Sequence, residues 1–204
     1  MPEYMEAIQI DFLGKVPQWN VNYDINIFYN RLTDIIVNTP STDLNAPKYI
    51  NAGRLRIAGL EGQADYRHPR FSANASLTYQ YAIDASLYYF EDHRVYSVPR
   101  LIAAISAQQC LLNKGKHSLW LTGNAKHTSK TINKPNTKAA GSGTFELDAY
   151  TLLDLGLKYS FNNTLQLAVE CDNVFNKTYY IGGTSYFPYQ YPRRVFMTSL
   201  AFKL

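Results

Sequence analysis

Leu153-Asp154-Leu155-Gly156-Leu157-Lys158-Tyr159-Ser160-Phe161, then Asn162-Asn163, then Thr164-Leu165-Gln166-Leu167-Ala168-Val169-Glu170 is the stretch on which the fold turns. Apolar side chains take the odd positions of both runs, and polar or small ones take most even positions. A period of two is what a strand shows when successive side chains point to opposite faces. The Asn pair between the runs is a tight-turn signal, so the whole reads as a hairpin.

Working outward, the same alternation recurs. The last run, Arg194 to Leu204, places Phe196, Thr198, Leu200, Phe202 and Leu204 on one face. Towards the start, Trp19, Val21, Tyr23, Ile25, Ile27 and Tyr29 alternate with Asn20, Asn22, Asp24, Asn26, Phe28 and Asn30. Strand one is expected from about Tyr4 to Leu13, with Ile8, Ile10 and Phe12 on one face. Strand three ends near Tyr66, and strand four alternates Phe71, Ala73, Ala75, Leu77, Tyr79, Tyr81 and Ile83 against Ser72, Asn74, Ser76, Thr78 and Gln80. Strand five covers about Val98 to Leu111, and strand six opposes Leu119, Leu121, Gly123 and Ala125 to Trp120, Thr122, Asn124 and Lys126. With the C-terminal runs, about nine strands are predicted.

The connections between them alternate short and long. Gly14–Pro17, Arg67–Arg70, Asn113–Lys116 and Asn162–Asn163 are tight turns. The stretches from about Thr33 to Gly53, Asp84 to Ser97 and Thr128 to Glu146, and the Gly/Tyr/Pro-rich stretch between Tyr180 and Arg194, are long loops, so every long loop falls at one end. Transmembrane β-barrels have this asymmetry, with short periplasmic turns and long extracellular loops. Trp19 to Tyr29 would run ~33 Å at ~3.3 Å per residue, or roughly 23 Å of height at a 45° tilt. That is close to the ~25 Å apolar band of such barrels. The expected fold is therefore all-β, an antiparallel transmembrane β-barrel segment of about nine strands. A soluble sandwich also alternates. Its wet face, however, would carry many Lys and Glu, whereas the polar faces of strands two and four are Asn, Ser, Thr and Gln with a single Asp.

The Asp172-to-Leu204 region carries a resemblance. Asn173-Val174-Phe175-Asn176-Lys177-Thr178-Tyr179 ends a strand, a loop follows, and Arg194-Val195-Phe196 opens the last strand. This order is similar to the C-terminus of the TonB-dependent outer-membrane receptors, although that family usually ends on an aromatic residue and this chain ends on Leu204. The resemblance implies a barrel of about twenty-two strands with an N-terminal plug threaded inside. Residues 1–204 would then be the C-terminal part of such a barrel, without plug domain or signal peptide. Met1-Pro2-Glu3-Tyr4-Met5-Glu6 has neither the basic nor the apolar region of a secretory signal, which fits a fragment or a truncated reading frame.

The partners implied are the outer-membrane lipid bilayer, upstream strands and plug of the same receptor, TonB through the missing N-terminal part, and the barrel-assembly machinery through the last strand. The implied function is nutrient uptake across the bacterial outer membrane, with a metal chelate such as an iron-siderophore complex or haem as cargo. The alternatives are a small self-contained barrel acting as a passive pore, which needs strand one to pair with the last strand, and a soluble β-domain with a dry core.

Composition agrees. In 204 residues the charged fraction is 18%, low for a soluble domain, with 17 Tyr and 10 Phe. No run approaches the ~20 apolar residues of a membrane helix. The net charge of +4 is spread thinly, so nucleic acid is not an expected partner. Cys110 and Cys171 fall on opposite strand faces and are expected to be unbonded. No nucleophile elbow or phosphate-cradling loop is visible, and His68, His93, His117 and His127 lack ligand spacing, so neither enzyme, metal site nor cofactor is expected. Asp154 and Glu170 are expected to face the lumen, paired with Lys or Arg.

If ligand is bound, the loops should bind it. Tyr88, Tyr89, His93, Arg94 and Tyr96 in one, and Tyr179, Tyr180, Tyr186, Tyr189, Tyr191, Arg193 and Arg194 in another, combine aromatic faces with positive charge. Such groups suit anionic, ring-bearing ligands. Tyrosines near a barrel rim also serve as interfacial girdle and loop packing.

Overall fold

A computed structural model describes residues 2–38, 49–86, 95, 97–133, 145–162, 164–183 and 187–203. Its main body is one antiparallel sheet of nine strands: β1 (Tyr4–Val16), β2 (Val21–Asn38), β3 (Tyr49–His68), β4 (Phe71–Ser86), β5 (Leu101–Lys114), β6 (His117–Thr128), β9 (Tyr150–Phe161), β10 (Leu165–Asp172) and β13 (Val195–Phe202). Each pairs with the next in that order. Two small ribbons rise from the loop end, β7 (Thr131–Asn133) with β8 (Phe145–Leu147), and β11 (Tyr180–Gly183) with β12 (Pro188–Gln190). Among the described residues β1 and β13 are the two open edges of the sheet and do not pair with each other.

The register puts the alternation to use. On one face Ile8, Tyr29, Ala58 and Tyr81 form a rung across β1–β4, followed towards the turns by Ile10, Ile27, Leu60 and Tyr79, then Phe12, Ile25, Gly62 and Leu77. On the other face the rungs are Asp11, Asn26, Glu61 and Thr78, then Leu13, Asp24, Gln63 and Ser76, then Lys15, Asn22, Asp65 and Asn74. Asp65 and Asn74 of this polar face, with residues of β5, β6, β9 and β10, line a groove of about 710 Å³. The apolar face looks outward. Trp19, Ile25, Leu77 and Leu155 are all exposed, between 37% and 66%. Among the described residues the buried apolar side chains are only Leu55, Ala82, Cys110, Ile132 and Leu147, so no dry core lies inside the sheet. The soluble reading requires that core and fails here.

Several boundaries differ from expectation. Trp19 belongs to a 3-10 turn, Pro17–Trp19, not to β2. Pro17 presets φ for the turn, and Asn20 closes it at φ 51° with its N–H donating to the Pro17 carbonyl (3.1 Å). The expected loop from Thr33 to Gly53 is strand at both ends, because β2 continues to Asn38 and β3 begins at Tyr49, while residues 39–48 lie outside the described residues. Ile35, Ile36 and Val37 have the branched side chains that favour extended backbone. The expected Thr128–Glu146 loop contains the β7–β8 ribbon, where Ile132 is fully buried; Gly141–Gly143 lie outside the described residues.

Close approaches fix two strand pairs. Gly14 sits opposite Tyr23, whose ring lies over it on the outer face. Gly59 sits opposite Phe28, which explains an aromatic on the polar side. A Cβ at Gly59 would run into Phe28 Cζ and come 2.8 Å from the Tyr79 carbonyl oxygen. Cys110 and Cys171 are free, and their rung partners (Trp120 for one, Leu155 and Phe196 for the other) place them on opposite faces.

Candidate ligand-facing site at the loop end

The groove supplies the floor of the site. Its lining includes Asp65, Asn74, Ser106, Asn124, Asp154 and Glu170. Side-chain hydrogen bonds run across the strands: Asn74 Nδ2 donates to Asp65 (2.9 Å), Ser106 Oγ to Asn124 (3.0 Å), and Asn124 Nδ2 to Asp154 (3.1 Å). Asp154 also accepts the Asn173 backbone N–H at 2.8 Å. The expected Lys or Arg partner is therefore replaced by amides, and neither Asp154 nor Glu170 forms an ion pair among the described residues. Asn124 stands directly opposite Asp154 across β6 and β9, which puts its amide within bonding distance of the carboxylate.

Above the groove the chain leaves β10 through Asn173. This residue is 4% exposed, adopts φ 50°, and binds the chain ahead of it twice. Its Nδ2 donates to the Lys177 carbonyl and its Oδ1 accepts the Lys177 N–H, both at 2.8 Å. The Val174 N–H donates to the Leu153 carbonyl (2.8 Å), and the Asn176 N–H to the Asn173 carbonyl (2.7 Å). Returning from the loop, the Arg194 N–H donates to Asn176 Oδ1 (3.2 Å) and its guanidinium to the Val174 carbonyl. The segment Asn173–Tyr179 is thus a clasp: it ends one strand, launches the loop and catches the strand that returns. Phe175, 74% exposed, is left on the surface.

The clasp carries the aromatic residues. Tyr179 lies between Tyr150 and Tyr191, with ring centroids 4.6 and 5.6 Å away, and its carbonyl accepts the Tyr191 N–H (3.2 Å). Burial, and then the neighbouring phenols, push the Tyr179 hydroxyl above the ordinary tyrosine range. Beyond this stack, β11 and β12 present Tyr180, Ile181 and Tyr189 to solvent, and Phe187, just before β12, is exposed as well. Arg193 is exposed beside them. The structure therefore gathers Tyr179, Tyr180, Tyr189 and Arg193 on one ribbon and its return segment, with Tyr179 and Arg194 committed to holding it. Tyr88, Tyr89, His93, Arg94, Tyr96 and Tyr186 lie outside the described residues.

The sequence reading missed Tyr150 as the third ring of the stack and Asn173 as its mechanical base. The Asn173 signal was present as a turn-forming amide four residues before the backbone it binds. Tyr150 gave none, because its contact is with a residue 29 positions away. His68 and His117 stand at the turn end, and His127 at the loop end, as expected; His93 is outside the described residues.

Comparisons with known proteins place the fold. The family model for the TonB dependent receptor-like beta-barrel matches residues 9–174. Among solved structures, the chain is similar to the FpvA receptor of Pseudomonas aeruginosa in a complex with a heterologous pyoverdine and iron (TM-score 0.78, 19% identity, 98% of this chain and 27% of that one). It is similar to the FrpB iron transporter from Neisseria meningitidis (TM-score 0.74, 15% identity, 97% and 30%). It also resembles the ferric-catecholate import receptor Fiu from Escherichia coli K12 (TM-score 0.75, 14% identity, 98% and 27%). A search of curated proteins found no match. The chain spans less than a third of the length of each of these three structures. The family match covers more than half of the 204 residues, on a chain whose main body is one antiparallel sheet, and the chain belongs to the TonB-dependent receptor β-barrel family.

Proposed function

We propose that this chain is the C-terminal part of an outer-membrane TonB-dependent receptor that takes up a metal chelate, such as an iron-siderophore complex or haem. The observation that carries this reading is the open sheet: β3–β6, β9 and β10 line a groove on its inner face, yet β1 and β13 are both unpaired edges among the described residues. In lipid an unpaired edge leaves backbone groups without partners, at several kcal/mol for each group. Further strands of the same receptor would satisfy β1 and β13, and the plug would sit against the groove's polar rungs. TonB would act through that N-terminal part. The apolar face would meet lipid, and β13 would present its edge to the barrel-assembly machinery.

The solved structures to which the chain is similar include an iron transporter and receptors for iron chelates, which supports the choice of cargo. So does the ribbon, whose Tyr180, Tyr189 and Arg193 offer aromatic faces and a cation to an anionic chelate. A passive pore formed by this chain alone would need β1 paired to β13, and that pairing is not formed.

The test is growth and radiolabelled-iron uptake in iron-limited cells that depend on this receptor. Replacing Tyr180, Tyr189 and Arg193 together with alanine should lower uptake at least tenfold while leaving the protein in the outer membrane. Uptake that persists after the proton gradient is collapsed would contradict the reading and indicate a pore.

A further inference from the structure

Near its loop end the outer face of β1–β4 carries a charged rung. Immediately on the loop side of the Ile8–Tyr29–Ala58–Tyr81 rung lies Glu6–Arg31–Arg56–Asp84, with each residue directly opposite the next across β1–β4. Arg54 joins it from one turn of the pleat higher. A bulge at Ile83 shifts β4 by one residue and so brings Asp84, not Ile83, opposite Arg56. Three arginines thus meet two carboxylates. Arg54 Nε and Arg56 Nη2 share a single oxygen of Asp84, each at 2.8 Å, and Arg31 Nη1 reaches Glu6 at 3.3 Å. Each of these ion pairs engages one guanidinium nitrogen, and a guanidinium has five N–H donors. The Arg31 and Arg54 side chains remain about half exposed.

The height of the rung gives its meaning. Arg31 stands ten residues beyond Val21 at the start of β2, which is roughly 23 Å above the turn end at a 45° tilt. That is the upper edge of a ~25 Å apolar band. A cationic surplus there meets lipid headgroups, neither hydrocarbon nor bulk water. Guanidinium forks match phosphate oxygens in geometry as well as charge.

We propose that Arg31, Arg54 and Arg56 form a docking site for the phosphate groups of outer-leaflet lipid, with Glu6 and Asp84 spacing the guanidinium groups and holding them on the outer face. This rests on the membrane-spanning reading above, with the loops outside. The site holds annular lipid against β2–β4, on the side of the sheet opposite the groove.

The experiment uses the protein purified from its membrane and placed in phosphatidylcholine nanodiscs with or without phosphatidic acid, which bears a terminal phosphomonoester. Native mass spectrometry counts retained phosphatidic acid, and an environment-sensitive dye on Ile27→Cys reports quenching by brominated lipid. The unsubstituted protein should retain phosphatidic acid in preference to phosphatidylcholine. The double variant Arg31→Gln/Arg54→Gln should weaken that preference by roughly thirtyfold, the combined loss expected for two arginines near an anionic surface. Glu6→Gln, which removes an opposing carboxylate and leaves every arginine in place, should strengthen it even if the double variant folds poorly. Inorganic phosphate at matched concentration should compete weakly, since it lacks the chains that hold the headgroup at this height. A dye quenched at Ile27 with no phosphatidic-acid preference overturns the docking site alone. A dye that is not quenched overturns the membrane reading, and the docking site with it.

Discussion

Two places where the chain reaches the top of the apolar band solve one problem differently. At Asp34 (φ 56°) β2 takes an extra residue, yet the ladder resumes at Ile35 opposite Gly53 and runs on to Asn38. At Asn173 (φ 50°) β10 also turns left-handed, and there the strand stops. The difference lies in where the side chain's hydrogen bonds go. At Asp34 the partner strand accommodates the bulge, because Asn51 Nδ2 donates to the Asp34 carbonyl at 2.7 Å. At Asn173 the residue's own amide seizes Lys177 from both sides and bends the chain away from the sheet. A left-handed Asx residue is therefore not in itself a strand terminator. It terminates when its side chain competes successfully for the backbone that would have continued the ladder.

Removing the competing amide should have the largest effect. Asn173→Ala loses two buried hydrogen bonds and orphans the Lys177 N–H, an expected cost of about 3 kcal/mol. Hydrogen exchange should show the Tyr180–Gln190 ribbon deprotected while Asn22–Asn30 is unchanged. Asp34→Val tests the other side, since a β-branched residue at positive φ should cost about 1–2 kcal/mol. Protection should fall at Ile35–Asn38 and at their partners in β3, and Asp34→Gly should be tolerated. Asn51→Ala should be milder, about 0.5–1 kcal/mol, because the carbonyl it serves is near solvent. If Asn51→Ala matched Asn173→Ala, the contrast between a supported bulge and a self-made stop would be lost.

The smallest expected effect is electrostatic. The Tyr179 pKa in the folded chain lies above the ~10 of a free tyrosine. The neutral phenol is the form that packs between Tyr150 and Tyr191. Its contribution to ribbon stability is therefore complete below pH ~10 and lost as pH rises through the folded value. Ribbon protection in Tyr179→Phe should show no alkaline fall of this origin.

How much of this the sequence revealed depends on the range of the interaction. The nine-strand count, the outward set Ile8, Ile25, Leu77, Leu155 and Phe196, and the inward set Asn26, Thr78, Asn124 and Glu170 were legible, because alternation is a property of adjacent residues. The upper ends of β2 and β3 were not. Asn and Pro between Thr33 and Gly53 read as loop, while the bulge that lets the ladder continue depends on Asn51 on the opposite strand. Asp154 was correctly placed on the lumen side but given the wrong kind of partner, since its bonds go to Asn124 and the Asn173 backbone. Six of the twelve candidate ligand residues, Tyr179, Tyr180, Tyr189, Tyr191, Arg193 and Arg194, fall on or beside one ribbon and its return segment. Their clustering was visible from sequence proximity; the stack with Tyr150 was not.

Spin labels placed singly from Phe71 to Ile83 along β4, with the protein in a bilayer, give the most direct test of which face meets lipid. Collision with oxygen, which partitions into hydrocarbon, should peak at Ala73, Ala75, Leu77, Tyr79 and Tyr81. Collision with a water-soluble nickel chelate should peak at Ser72, Asn74, Ser76, Thr78 and Gln80, giving two curves of period two in antiphase. Odd positions shielded from both reagents would mean that Leu77 and its neighbours pack in a dry interior, and would contradict the account.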